Sequence, residues 1–282
     1  MYNRWIWPHM KNEVVLAFSG GIDSLSSALK LCEQFDKVHL LTFQKGYLEF
    51  GVHNNHSNVL KLQKLAGKHR FIHKIIDLHS ILERICGHHL FSDFRKWGGE
   101  IAWCVGCRLA MNIGSLIYAL DNDLFYIADG SNRDQSPSSG RLVVTAENFP
   151  AAVKNLREFA SSCQVVFLTP VYESESREER RESLRKMGFH IDFQSYDHKK
   201  SLTGMLHKDF LRRYQPVCLS GWLIHWRRNL FGVPVHHDEK KTVAYMIEKE
   251  QRVIIHLVRD HFKQEGIDLD VLLEQRKLTY PL

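Results

Sequence analysis

Short apolar runs separated by amphipathic stretches dominate the first two thirds of the chain. Glu13-Val-Val-Leu-Ala-Phe18 reads as a buried strand, followed by a Ser/Gly turn and a helix over about Leu25 to Glu33. Val38 to Phe43 predicts a second strand, then a loop and a helix over about Asn55 to Ala66. Phe71 to Ile76 is a third strand, and a helix near Arg108 to Leu120 precedes a fourth, Leu124 to Ala128. Gln164 to Thr169 is the fifth, ended by Pro170. Strands spaced by helices imply a five-stranded parallel sheet with helices on both faces, an α/β fold.

The pattern changes after about Met187. The stretch from His190 to Trp226 is rich in Lys, Arg, His and aromatic residues and carries no clear strand signal. Asp238 then reads as the cap of a long helix to Phe262, with Val243, Met246, Ile247, Ile254, Leu257 and Val258 on its apolar face. The expected organisation is a main domain over residues 1–190 and a mainly helical C-terminal extension over 191–282 that suits acceptor binding. Ser131 to Gly140 is polar and reads as a surface loop.

Charge narrows the partners. The 282-residue chain has a formal net charge of +6 and 17 histidines, which favours acidic partners, ATP and nucleic acid among them. No run approaches ~18 consecutive apolar residues, so no membrane span is expected. Met1 to Pro8 lacks the layout of a signal peptide, and the reading is a cytoplasmic protein. Six cysteines are too sparse for a disulfide scaffold, so a Cys-x-x-Cys pair points to metal binding or sulfur chemistry.

The most informative residues are Ser19-Gly20-Gly21-Ile22-Asp23-Ser24, between the first strand and its helix. Two glycines allow a tight turn and close approach to a phosphate, and the helix start offers free N–H groups. Ser19 and Ser24 add hydroxyls. Asp23 is a carboxylate where phosphates should sit, which calls for a bridging cation such as Mg²⁺. The Gly-Lys-Ser/Thr of a Walker loop is absent.

Ser-Gly-Gly-Ile-Asp-Ser resembles the PP-loop of the N-type ATP pyrophosphatases, whose members bind ATP and cut between its α- and β-phosphates. The superfamily includes tRNA thiolation enzymes and 7-cyano-7-deazaguanine synthase, and its fold is the adenine nucleotide alpha hydrolase-like type. The resemblance implies that Ser19 to Ser24 hold the phosphates, with Asp23 and Ser24 catalytic and Asp23 on Mg²⁺. Ile127-Ala-Asp-Gly-Ser-Asn-Arg-Asp134 resembles the family's nucleotide-facing loop, and this brings in Gly130, Asn132 and Asp134. The topology of the fold places adenine at the end of the second strand, near Leu41, Thr42 and Phe43. The segment from Thr169 to Phe189 is similar to the family's strand–Pro–loop–helix ending. Ser176 and Glu179 form a capping box there, and most of its charges read as a solvated face. The similarity covers roughly residues 13 to 190.

Trp103-Cys104-Val-Gly-Cys107-Arg108 adds a second chemistry. Two cysteines at this spacing can ligate one metal from a tight turn opened by Gly106. A following helix N-terminus and Arg108 would lower their pKa values. The pair resembles that of the tRNA 2-thiocytidine synthetase branch, where a third C-terminal cysteine completes a [4Fe–4S] site; Cys218 is the counterpart here. Zinc or cluster binding, redox or persulfide-carrying thiols, and simple packing all stay open. Cys32 and Cys86 lie in apolar helical patterns, and Cys163 has no assignment.

His53, His56, His88, His89, His236 and His237 show no ligand spacing with a carboxylate or cysteine and read as surface histidines. Trp222-Leu-Ile-His-Trp-Arg-Arg228, with Lys199, Lys200, Arg212 and Arg213 nearby, mixes bases and aromatic rings as RNA contacts do, or as a packing face with a basic rim does. The expected function is adenylation of a carbonyl oxygen on a tRNA base or a small molecule, so that sulfur or nitrogen displaces AMP. Ammonia-dependent ligation of the deazaguanine-synthase type is one alternative, and a nucleotide-binding interaction protein without turnover is another.

Overall fold

The computed structural model describes residues 11–47, 49–135, 145–191, 216–224 and 238–279. Five parallel strands form the sheet: β1 (Glu13–Ala17), β2 (Lys37–Gln44), β4 (Phe71–Asp77), β5 (Tyr126–Ala128) and β6 (Val166–Leu168), in the order β4-β2-β1-β5-β6. Val14 stands opposite Val38 on one side and Tyr126 on the other. Successive side chains of β1 point to opposite faces and feed separate cores. Val14 and Leu16 join Leu25, Leu31, Val59 and Leu184. Val15 packs instead with Leu41, Leu109, Ile113 and Phe167.

The first core is covered by α1 (Ile22–Cys32), α2 (His56–Ala66) and α7 (Arg177–Lys186). Around the second lie α3 (His79–Leu82), α4 (Leu90–Trp97), α5 (Gly106–Asp121) and α6 (Pro150–Ser162). Further along come α8 (Leu219–Ile224), α9 (Glu239–Lys249), α10 (Ile255–Gln264) and α11 (Leu269–Thr279). The expected parallel α/β fold with a helical C-terminal region is therefore observed. Tyr245, Met246, Leu257 and Phe262 belong to the second core, so the C-terminal helices are continuous with the main hydrophobic interior. Lys249 Nζ, 2.6 Å from Asp93 Oδ2, and Tyr245 OH, donating to Ala102 O at 3.1 Å, tie α9 down.

Local signals act as expected at two caps. Ser176 and Glu179 form the capping box of α7, and Asp238 accepts from Lys241 N at 2.9 Å. The helix from Asp238 reaches Phe262 through a wide π turn at Glu250–Ile254. Helix Glu100–Asp121, a π segment running into α5, is long and apolar enough to cross a membrane, but 83% of its apolar window is buried in the fold.

Two short strands depart from the sequence reading. β3 (Glu49–Phe50) pairs antiparallel with β7 (Val217–Cys218), placing Glu49 opposite Cys218. Two-residue strands carry too little alternation to stand out along the chain. Strand β7 lies within the stretch that was read as free of strand signals.

Candidate functional site

The strand order reverses direction at β1, whose neighbours β2 and β5 lead to opposite edges. In open parallel sheets, ligands bind at the carboxyl ends of strands at such a point. The chain places Ser19 to Ser24 there. Gly20 has φ 76°, a conformation costly for other residues, and it swings the chain from β1 into α1. Ser24 Oγ donates to Gly21 O at 3.1 Å and lies 3.2 Å from Ser19 Oγ.

A cleft of about 300 Å³ opens above this loop. Ser19, Gly21, Ile22, Asp23, Ser24, Thr42, Phe43 and Gly130 line it. Gly130 packs so closely that a Cβ there would stand 3.1 Å from Ser24 N. Gly20, Leu41, Asn132 and Asp134 support the cleft without lining it. Leu41 O accepts from Phe18 N at 2.8 Å, and Thr42 Oγ1 donates to Phe18 O at 2.8 Å, which locks β1 to β2 just below the loop. Asn132 Nδ2 donates to Asp23 Oδ1 at 3.1 Å, while Asp134 Oδ2 accepts from Arg177 N at 2.9 Å, at the start of α7.

Most charges of α7 face solvent as expected, among them Glu178, Glu179, Glu182, Arg185 and Lys186, but two arginines turn inward. Arg177 Nε lies 3.3 Å from Asp23 Oδ2, and Arg180 Nη2 lies 3.2 Å from Asp23 Oδ1. The capping box fixes where α7 begins, and residues three apart then share the face turned toward the loop. Arg180 is 3% exposed and also bonds to Val171 O, Ser174 Oγ and Glu175 O. Guanidinium groups thus reach both carboxylate oxygens of Asp23.

The far wall holds groups the sequence reading passed over. Arg108 pairs with Asp129 at 2.9 Å and donates to Ser131 Oγ and Glu147 O. Asp129 also accepts from Ser131 N at 2.9 Å, so it builds the loop. Burial pushes the Glu147 carboxyl up to about 7, against the pull of Arg108 and with Glu100 and Asp129 adding to the rise. Lys45 Nζ lies 2.8 Å from Glu49 Oε1. Burial opposes the Lys45 charge, but Cys107, Glu49 and Cys218 outweigh it and hold the group above the ordinary lysine range.

Three cysteines lie near this wall. Trp103 Nε1 donates to Ser220 Oγ at 3.1 Å, and Ser220 Oγ lies 3.1 Å from Cys218 Sγ, which brings the C-terminal segment against the cysteine pair. Charge on Cys218 raises both Cys104 and Cys107, so the three thiols lie within electrostatic reach of one another. They do not sit on a tight turn. Cys104 lies in a π turn (Glu100–Val105) that runs straight into α5, and Gly106 has helical backbone angles at a place where a Cβ would collide with Cys86 Sγ and Tyr245 OH. Nor are their pKa values lowered: burial raises Cys104 well above the usual range and Cys107 to about 11, against the pull of Lys45. Among the described residues, no three His, Cys, Asp or Glu side chains gather as one metal ion requires. A mononuclear zinc site does not fit this arrangement.

The remaining residues singled out in sequence lie elsewhere. His53, His56, His88 and His89 are exposed. Cys86 and Cys163 are buried, and Cys32 is half-buried. His236, His237, Lys199, Lys200, Arg212, Arg213 and residues 225–228 lie outside the described residues, as do Met1 to Pro8 and residues 136–140 of the Ser131–Gly140 loop.

No family model and no curated protein matches the sequence. Among solved structures, the chain is similar to the U34-tRNA thiolase NcsA from Methanococcus maripaludis with its [4Fe-4S] cluster, at 15% identity and TM-score 0.43, over 86% of this chain and 73% of that one. It is similar to a predicted subunit of tRNA methyltransferase from Methanocaldococcus jannaschii at 20% identity and TM-score 0.38, over 62% and 75%. A 4-thiouridine synthetase, solved with RNA and bound ATP, matches at 16% identity and TM-score 0.50, over 94% of this chain but 53% of that one. With that synthetase, about half of whose length it spans, the chain shares its fold, a five-stranded parallel sheet with helices around it.

Proposed function

We propose that the protein is an ATP pyrophosphatase that activates a carbonyl oxygen of an RNA base for replacement by sulfur. One observation carries the reading: a single cleft is lined both by the phosphate loop and by Lys45, Glu49 and Glu147, which lie within electrostatic reach of the thiols of Cys104, Cys107 and Cys218. The fold shared with a 4-thiouridine synthetase is consistent with it.

The acceptor oxygen attacks the α-phosphorus of ATP, an O–P bond forms, and the bond to the β-phosphate oxygen breaks, releasing pyrophosphate. Charge builds on the departing pyrophosphate, where loop N–H groups and Arg177 can meet it. Asp23 has the chemistry to hold Mg²⁺, since one carboxylate plus nucleotide phosphates is a usual donor set; the ion would neutralise phosphate charge. A sulfur nucleophile then displaces AMP, a far better leaving group than the original oxygen. Glu147 can take up a proton at near-neutral pH. Cys104, Cys107 and Cys218 are the candidates for handling sulfur.

The test is product analysis with Mg²⁺-ATP and an unmodified tRNA transcript or small acceptors. AMP and pyrophosphate formed only with RNA and a sulfur source support the proposal. AMP with ammonia and a small acid would instead indicate ligation, and ADP would remove the pyrophosphatase class. Binding without any cleavage would leave a nucleotide-binding interaction protein.

A further inference from the structure

Helix α2 has two different faces. Inward, Asn58 Nδ2 donates to Gly20 O at 3.2 Å and to His190 O at 2.6 Å, which fastens the helix to the phosphate loop. Asn55 Nδ2, at the head of the helix, donates to Thr42 Oγ1 at 2.7 Å, beside the cleft. The outer face is basic. From Gly51 to Ile76 the sequence holds five Lys or Arg and four His with no Asp or Glu. In a chain with 32 acidic residues among 282, such a stretch would ordinarily contain about three.

The fold keeps this charge open. Lys61 and Lys64 lie one turn apart on α2, where they share a face, and Lys68 follows in the next turn. Lys64 and Lys68 are exposed, and Lys61 Nζ reaches over Gly188, 3.1 Å from where a Cβ would stand. None of the three forms an ion pair among the described residues, whereas Lys30, Lys37, Lys96 and Lys186 each pair with a carboxylate. His53 and His56 are exposed at the cleft end of the strip. Positive charge therefore runs away from the phosphate loop along one edge of the molecule.

We infer that the outer face of α2 and the turn after it bind the phosphate backbone of an RNA whose reacting base enters the cleft. The inference rests on the RNA-acceptor reading above. Backbone contacts of this kind position a nucleic acid without reading its sequence. A polyanion fits better than a protein partner, because the face holds its lysines apart from any carboxylate and ends at a phosphate-binding loop.

The test uses fluorescence anisotropy with a labelled, unmodified tRNA transcript and the full chain. Lys61→Glu/Lys64→Glu/Lys68→Glu should weaken binding about tenfold or more and reduce the log–log salt slope by about two, while ATP binding holds. Lys→Arg at the same three positions should keep both affinity and slope. An equal charge change at Lys240, Lys241 and Lys263 on the C-terminal helices should change affinity less than threefold. Circular dichroism and thermal melting verify folding of each variant. If the α2 reversal and the C-terminal reversal act alike, or the α2 reversal has no effect, this surface is wrong while the cleft's reading stands. If the wild-type chain fails to bind the transcript, the surface and the RNA acceptor fall together.

Discussion

Asp23 of the phosphate loop and Arg180 of α7 are 157 positions apart in sequence, yet Arg180 Nη2 lies 3.2 Å from Asp23 Oδ1. Arg180 is almost fully buried, and Arg177 and Asn132 occupy the other approaches to the same carboxylate. Asp23 is thus the keystone between the first loop of the sheet and its last helix.

Asp23→Ala should abolish pyrophosphate release. It should also lower stability by about 1–3 kcal/mol, because buried donors on Arg180 and Asn132 lose their acceptor. A melting temperature within error of wild type would show that the contact is not structural, and normal turnover would remove Asp23 from catalysis.

Arg177 is the more exposed of the two arginines and lines the cleft, so its loss should spare the fold. Arg177→Ala should raise the KM for ATP about tenfold, the order expected for losing one charge-assisted bond. An unchanged KM would confine Arg177 to holding Asp23.

Gly130→Ala would press a methyl group against the backbone at Ser24, 3.1 Å away, and that atom cannot swing aside. The expected result is weakened ATP binding with little change in unfolding temperature. Isothermal titration of nucleotide against the variant decides it.

Sulfur transfer and activation should separate at the thiols. Cys107→Ser and Cys218→Ser should each abolish sulfur incorporation into RNA while pyrophosphate release continues. If both variants transfer sulfur normally, the cysteines only pack.

A buried carboxyl and a half-buried histidine give stability opposite pH dependences. Burial pushes the Glu250 carboxyl up to about 7, with Asn155 opposing through a hydrogen bond. The folded state then holds this proton more tightly than the unfolded one, so its contribution is present at low pH and lost as pH rises toward 7. That loss is on the order of 2–3 kcal/mol for Glu250. Burial lowers His73 to about 4, with His56 and His53 adding to the effect, so its contribution is lost as pH falls below the ordinary histidine range. Glu250→Gln should therefore raise the melting temperature at pH 8 relative to pH 5. A pH-independent difference would contradict the assignment.

The sequence by itself determined the parallel α/β fold and the turn from Ser19 to Ser24 that leads the first strand into its helix, because both are local. The apolar run from Val14 to Leu16, two glycines at 20 and 21, and the caps at Ser176 and Asp238 act over a few residues. Each is readable where it stands. Tertiary structure alone decided that Arg177 and Arg180 reach Asp23, that Glu49 pairs with Cys218, and that Lys45 faces Cys107 and Cys218. Those contacts span long stretches of chain, and no spacing rule connects residues so far apart. The same holds for the cysteine pair: its Gly106 suggests a turn, but the residue opens a helix, and it is glycine because Cys86 and Tyr245 leave no room for a Cβ. Burial, which only the folded chain creates, then raised the thiols that local electrostatics alone would have lowered.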